Sequence, residues 1–365
     1  MKKHAIIPIF IPHKGCPNDC VFCNQRKITA RGEDVTPEDI HNTIRTYMST
    51  LSRMNLDTVE LSFFGGSFTG IPMEEQKKFL EVAKEYKDNG IVDKIHLSTR
   101  PDYINRDILD NLKCYDVDVI ELGVQSFVPE VLSASKRGHD ASCVYRSCQL
   151  IKEYGFTLGI QLMIGLPGDT LEYDVYSAKE AVSLKPDIAR LYPTVVIKDT
   201  ELFDLMTEGN YKPMDEEDAV NRTAVMYRIL TNAGINVIRV GLKSSDIICD
   251  PTITSGTFHP AFRQLVEGKI AKEDLELQIE KMYPGIRDMF DHRYTQCPTV
   301  ALVSNAKSRN NLFGHKGCNK AYFAEKYPRL NIRYMTDTQL NLTLKNGEYI
   351  AVDFSMDNTP SQLLE

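Results

Sequence analysis

Three cysteines near the N-terminus, Cys16, Cys20 and Cys23, have the types and spacing most suited to chemistry in this chain. They lie in GCPNDCVFC, a C-x3-C-x2-C pattern, directly after an apolar run that reads as a strand. A [4Fe–4S] cluster is held by cysteine thiolates, and three protein ligands leave one iron with an exchangeable position. A structural zinc site is the rival reading, because His13 would complete a Cys₃His set. The chain has nine cysteines. An odd count with no secretory cleavage site argues against a disulfide framework, so clustered cysteines point to metal. Cys114, Cys143, Cys148, Cys249 and Cys297 read as small apolar core residues. The second HKGC, at residues 315–318, has no further cysteine beside it and reads as coincidence.

Elements able to position such a loop are readable along the chain. Short runs rich in Val, Ile, Leu or Phe at 5–11, 58–64, 94–99, 118–123, 157–163 and 188–193 suit a parallel sheet covered on both faces, with an extra strand at 236–240. Amphipathic segments lie between them. Thr36-Pro37-Glu38-Asp39 offers an N-cap, a proline at the first helical position and an acid three residues on, and Pro72-Met73-Glu74-Glu75 opens in similar style. Strand and helix alternating about six times implies right-handed parallel crossovers. The fold class expected is α/β: a partial (β/α)₆ TIM-type barrel with a small α+β C-terminal extension.

In such barrels the chemistry sits at the C-terminal strand ends. The second strand ends in SFFGGSFTG, where Gly65 and Gly66 let backbone approach a ligand closely, with Ser67 beside them. The third ends in STRPDYI, setting Thr99 and Arg100 at the rim; Arg100 can form a charge-assisted bond to a carboxylate. The fourth presents Gln125 and Ser126 in ELGVQSF, and the fifth presents Gln161 and Met163 in GIQLMIGLPGDT. Phe22 reads as an aromatic shield between two of the cysteines. Each motif alone has an ordinary structural explanation as turn glycine, rim polar residue or core methionine. Their succession around one barrel resembles the radical S-adenosylmethionine (SAM) superfamily. That resemblance implies SAM on the open iron through its amino and carboxylate groups, cleavage to a 5′-deoxyadenosyl radical, and a SAM site made of Phe22 and the strand-end residues.

A closer resemblance rests on longer stretches: FFGGSFTG, TRPDYI, ELGVQSFVPEVLSASKRGHD, the fifth-strand turn, and RLYPTVVIKDTELFDLMTEGNYKP. From about residue 5 to about 270 the chain is similar to the radical SAM half of the catalytic subunit of Elongator, which modifies wobble uridine in tRNA. Two departures stand out. The family's first cysteine gap is longer, and its acetyltransferase-like domain has no counterpart here, since the tail is short and lacks a Gly-rich pyrophosphate loop. The expectation is a short bacterial form of the family, with a reductant such as flavodoxin or ferredoxin as electron donor.

The net charge of −7 gives no global pull toward nucleic acid. Between Asn305 and Arg333, however, seven Lys or Arg face a single acid, Glu325, a patch able to contact phosphate. Lys307, Arg309, Lys316 and Lys320 are therefore candidate RNA contacts, as are Lys136 and Arg137 in the KRGH run, which alternatively carries solvated charges. The organisation expected is a barrel over 1–245, a helical extension packing on it over 246–298, and a small α+β domain over 299–365. Its last strands, 331–335, 339–344 and 349–354, read as a meander with an Asn346-Gly347 hairpin. No apolar run suggests a membrane span, and the chain reads as cytoplasmic. Three functions stay open: a radical SAM enzyme acting on tRNA, one acting on a small molecule as in coproporphyrinogen oxidase, whose fifth-strand turn is similar, and a non-catalytic zinc-stabilised RNA-binding module.

Overall fold

A computed structural model describes residues 4–11, 16, 20–24, 35–242, 254–256, 258–286, 298–336 and 350–354. The chain divides into one unit running to Phe258 and another spanning His259–Asn358.

The first unit is built on seven parallel strands in the order β1-β2-β3-β4-β5-β6-β8. They are β1 His4–Ile11, β2 Thr58–Gly65, β3 Lys94–Thr99, β4 Val119–Gln125, β5 Thr157–Ile164, β6 Ile188–Pro193 and β8 Asn236–Val240. The sheet curls into a partial TIM-type barrel, and the extra strand expected at 236–240 is its seventh member, parallel to β6. Pro8 is tolerated because β1 is an edge strand, pairing among the described residues only with β2.

Alternation along the strands sorts the residues into two faces. Leu61, Ile95, Leu97, Ile120, Leu122, Ile160, Leu162 and Leu191 are fully buried on the helix-covered side. The opposite face is polar: Glu60, His96, Glu121, Gln161 and Arg190 occupy successive strands there. The helices begin as their sequences dictate. Helix α1, Pro37–Leu51, has a complete capping box: Asp39 N–H donates to Thr36 Oγ1 at 3.2 Å, and Thr36 N–H to Asp39 Oδ2 at 2.8 Å. A two-stranded antiparallel ribbon joins β7 Val195–Ile197 to β9 Thr254–Gly256.

The second unit departs from the sequence reading in the direction of its strands. A single 21-residue helix, Phe262–Met282, occupies the stretch expected as a helical extension, and it lies in the same unit as the C-terminal strands. The strands are parallel, not a meander: β10 Thr299–Ser304 is central, between β11 Asn331–Thr336 and β12 Ile350–Phe354. The reason is the helical crossover between β10 and β11, Arg309–Phe313 and Cys318–Lys326, because parallel neighbours need such a connection. The strand expected at 339–344 and the Asn346-Gly347 hairpin lie outside the described residues. Among the described residues no helix is long and apolar enough to cross a membrane.

Candidate active site

The cysteine loop follows β1 and meets the C-terminal ends of β3 and β4. Cys23 N–H donates to the Cys20 carbonyl at 2.9 Å, a turn that holds these two cysteines on one short stretch. Cys20 is buried, while Cys16 and Cys23 are half-buried. Two segments far away in sequence hold the loop. Val21 N–H donates to the Ser135 carbonyl at 3.3 Å, Leu202 N–H donates to the Val21 carbonyl at 2.8 Å, and Asn24 Nδ2 donates to the Asp199 carbonyl at 3.1 Å. Val21 packs with Val196 and Leu202, and Phe22, Phe203 and Tyr211 close around them. The segment YPTVVIKDTEL is thus the seat on which the cysteine loop rests.

Two arginines face the Cys20 sulfur, Arg137 with Nη1 at 3.3 Å and Arg100 with Nη1 at 4.0 Å. Arg100 is also gripped by Asp102, through bonds of 3.0 and 2.9 Å, and donates to the Arg137 carbonyl at 2.6 Å. Burial alone would lower the Arg100 pKa; the Asp102 carboxylate raises it above the ordinary value. Arg137 is buried, its guanidinium donating to the Gly123 carbonyl as well, so it is not the exposed RNA contact read from the KRGH run. That run splits because Lys136 adopts a positive φ of 51° and turns outward to pair with Glu201 at 2.6 Å. His139 is buried, and burial followed by the Arg137 and Arg100 charges pushes its pKa down to about 4, leaving it neutral near pH 7.

Other residues expected at the SAM site fall into two groups. Phe22 and Met163 meet on the apolar cluster of Val128, Val131 and Leu166, and Gly65 and Gly66 stand at the open end of β2. Gln125 combines a positive φ of 70° with a buried Oε1 that has no partner, the strained, unsatisfied condition typical of functional positions. The remaining side chains are engaged inside the protein. Thr99 Oγ1 bonds Thr69 Oγ1 at 2.6 Å, Ser126 Oγ accepts from Val128 N–H at 3.2 Å, Gln161 donates to Glu121, and Ser67 is buried. The candidate RNA contacts Lys307, Arg309, Lys316 and Lys320 are all exposed on the second unit.

Gly65 is required by sterics as well as by its place in the motif. Its φ is +111°, and a Cβ there would sit 2.6 Å from the Ile11 carbonyl oxygen. That oxygen belongs to backbone that also accepts from Gly66 N–H at 2.8 Å, so it cannot step aside cheaply. Gly65→Ala is therefore expected to destabilise the barrel by about 1–3 kcal/mol, the cost of a strained backbone position. It should also lower iron retention, because the β1 end that leads into the cysteine loop must shift. Thermal denaturation and iron content of the variant check both.

The fifth-strand turn is secured by a buried triad. Arg222 Nη2 lies 3.1 Å from Asp169 and Arg222 Nε is paired with Asp174, while Asp169 accepts from Gly165 N–H at 2.8 Å. Two carboxylates share one cation, so burial and the Asp169 charge push the Asp174 pKa up to about 8. The folded state then binds more protons than the unfolded chain above the unfolded carboxyl pKa of about 3.9. Stability from this group falls as pH rises from there to about 8. Asp174→Asn is expected to flatten that dependence and to melt higher than the parent at pH 9, with less difference at pH 5.

Comparison with known proteins agrees with this fold. The model of the Radical SAM superfamily matches residues 10–179, and that of the Radical_SAM C-terminal domain matches residues 186–272. The chain belongs to the radical SAM superfamily, whose enzymes use a [4Fe–4S] cluster and SAM. It is 28% identical over 255 residues to a tRNA uridine(34) acetyltransferase of Methanocaldococcus infernus, covering 59% of this chain and 48% of that protein. It is 30% identical over 244 residues to human Elongator complex protein 3, covering 61% of this chain and 43% of that one. The chain therefore spans about half the length of these relatives. In structure it is similar to the archaeal M. infernus Elp3 with an N-terminal deletion, at a TM-score of 0.59 and 23% identity, over 75% of this chain and 64% of that one.

The donors present suit a cubane cluster. Three cysteines lie in one loop, and buried guanidinium groups around Cys20 offset the negative charge that thiolate ligands bring. No three His, Cys, Asp or Glu side chains among the described residues converge on a single metal ion. A cubane does not need that convergence, since each cysteine binds its own iron.

Proposed function

We propose that this chain generates a substrate radical for the modification of RNA, with tRNA uridine as the substrate class. The observation that carries the reading is the docking of the cysteine loop onto the strand ends, with Cys20 against Arg100 and Arg137. Bound together, the cluster and SAM supply a 5′-deoxyadenosyl radical that abstracts hydrogen from a substrate. Cys16, Cys20 and Cys23 hold the cluster; Phe22 and Met163 give the adjoining space an apolar wall that keeps water out. Gly65 and Gly66 offer close backbone approach, and Gln125 aims an unsatisfied carbonyl oxygen that can accept from a ligand amine. A reduced flavodoxin or ferredoxin supplies the electron.

RNA as substrate is supported by the names of the relatives and by the exposed Lys307, Arg309, Lys316 and Lys320. Nucleoside mass spectrometry of tRNA from cells lacking this protein tests it directly: a uridine modification should disappear and return on complementation. Binding of tRNA by the purified holoenzyme should also weaken steeply with salt, by about tenfold or more over a modest increase if several phosphates are contacted. An unchanged nucleoside profile with salt-insensitive or absent tRNA binding would instead indicate a small-molecule substrate.

A further inference from the structure

The inner face of the barrel is not filled evenly by its own side chains, as the interior of a closed TIM barrel is. Its deeper residues Glu60, His96, Glu121 and Arg190 are buried. Toward the C-terminal strand ends, Phe64, Ser98 and Tyr192 on the same face are half-exposed, and Phe10 is 40% exposed. Their neighbours on the helix-covered side, Phe63, Leu97 and Leu191, are buried, so the exposure belongs to the lumen. Among these inner residues Phe64 is fixed from several sides. The Arg190 guanidinium reaches it from β6 and stands 5.2 Å from its ring centroid, held there by Glu121 through Nε at 2.6 Å and by the Tyr192 hydroxyl through Nη1 at 3.4 Å. The His96 ring meets it edge-on at 5.9 Å, and Phe10, its register partner on β1, lies at 6.0 Å with the ring planes 41° apart. An aromatic ring ordered in this way yet still half-exposed forgoes the gain of full burial, which is the condition of a contact surface.

The groups around the ring define what it would touch. Glu121 answers the charge of Arg190, so the surface suits a neutral group rather than an ion. Ser98 Oγ directs its hydrogen to Glu121 at 3.2 Å, which leaves its oxygen able to accept. The Tyr192 hydroxyl accepts from Arg190, which leaves its hydrogen able to donate. A flat neutral ring with both N–H and carbonyl groups on its edge meets all three conditions, and uracil is such a ring. We propose that Phe64, backed by Arg190 and flanked by Phe10, is the stacking platform on which the substrate's uracil lies, with Ser98 and Tyr192 facing its polar edge. The inference rests on the RNA reading above. Chemistry on a base requires that it leave its own stack, and an aromatic side chain replaces the stacking it loses.

The test compares two anticodon stem-loop RNAs for binding to the anaerobically reconstituted full chain. One carries uridine and the other dihydrouridine at position 34, the nucleotide named for the archaeal relative. Dihydrouridine keeps the carbonyl and N–H groups of uridine on a puckered, saturated ring, so the ratio of the two affinities isolates stacking from phosphate contacts. The parent is expected to prefer uridine by about tenfold, in line with stacking of a base on an aromatic side chain. Phe64→Ala should bind the two RNAs alike. Phe64→Leu, which keeps an apolar side chain but has no ring face, should lose most of the preference. A purely structural role for Phe64 would lower the melting temperature of these variants and leave the ratio where it was. A parental ratio in both variants, or a parent that binds both RNAs equally, would overturn the proposal and leave the RNA reading standing. If Phe64→Ala does not fold, Phe64→Leu decides, and a parental ratio there overturns it. A parent that binds neither RNA would overturn the RNA reading itself and the uracil platform with it, an outcome separate from any difference between variants.

Discussion

Replacing Cys20 with alanine is expected to abolish cluster assembly and SAM cleavage while leaving the barrel folded. The parent, reconstituted anaerobically, should contain iron and sulfide at about four each per chain. The variant retains two cysteines of the three, too few to hold the cluster, and its iron should fall to background with no 5′-deoxyadenosine formed on addition of SAM and reductant. The fold survives because the loop is seated by bonds that the substitution leaves alone: the backbone bonds Val21 to Ser135 and Leu202 to Val21, and the Asn24 side-chain amide to the Asp199 carbonyl. What is lost is an acceptor for Arg137, worth about 1–3 kcal/mol for a buried group left unmade. A small drop in melting temperature with unchanged far-ultraviolet circular dichroism is the expected companion. Continued 5′-deoxyadenosine production by the variant would remove Cys20 from the ligand set. One zinc per parent chain, with no iron, would favour the Cys₃His alternative.

The barrel could be read from sequence because its strands carry their own signal. Short β-branched runs covered on both faces have no competing periodicity, and the strands at 94–99, 188–193 and 236–240 begin and end where their patterns do. Capping chemistry marked helix starts such as Thr36–Asp39 equally well. The second unit was harder because strand direction is set by what lies between strands, and the crossover helices at Arg309–Phe313 and Cys318–Lys326 are too short to show a clear period. Around the candidate site, motif position alone sets which glycines and polar residues stand at the strand ends. It does not set the direction a side chain takes. Lys136 and Arg137 are neighbours of identical charge, and only the left-handed backbone at Lys136 sends one outward to Glu201 and the other inward to Cys20. The seat provided by Asp199–Leu202 was visible as a family phrase, but its hydrogen bonds to residues 21 and 24 join positions too distant in sequence for any local pattern to report.

The largest loss of stability is expected from Glu121→Ala, because it breaks the charged floor beneath the site. Glu121 is wholly buried; Arg190 Nε donates to it at 2.6 Å, Gln161 donates to its other oxygen, and His96 Nε2 lies 3.7 Å away. His96 Nδ1 is 2.7 Å from Glu60, whose second oxygen lies 3.3 Å from His4, so one polar chain crosses the sheet from β1 to β6. Burial works to raise the Glu121 carboxyl, but Arg190 and His96 outweigh it and hold its pKa below the ordinary value; Glu60 is likewise lowered by His4 and His96 against burial. Removing Glu121 strands Arg190 as a buried, unpaired cation, at a cost of about 3–5 kcal/mol. Urea denaturation should show that loss, and Glu121→Gln should lose less because it keeps an acceptor for Arg190. The double variant Glu121→Leu, Arg190→Met should recover most of it, since no charge is then left alone in the floor. The sign with pH follows from the lowered carboxyls: their contribution is complete above the unfolded carboxyl pKa of about 4.3 and is lost as pH falls through the lower folded values. Acid denaturation of the double variant should accordingly begin at lower pH than in the parent. An unaltered acid transition would show that the Glu121–Arg190 pair does not set acid stability, and would shift that role to Glu60 and its histidines.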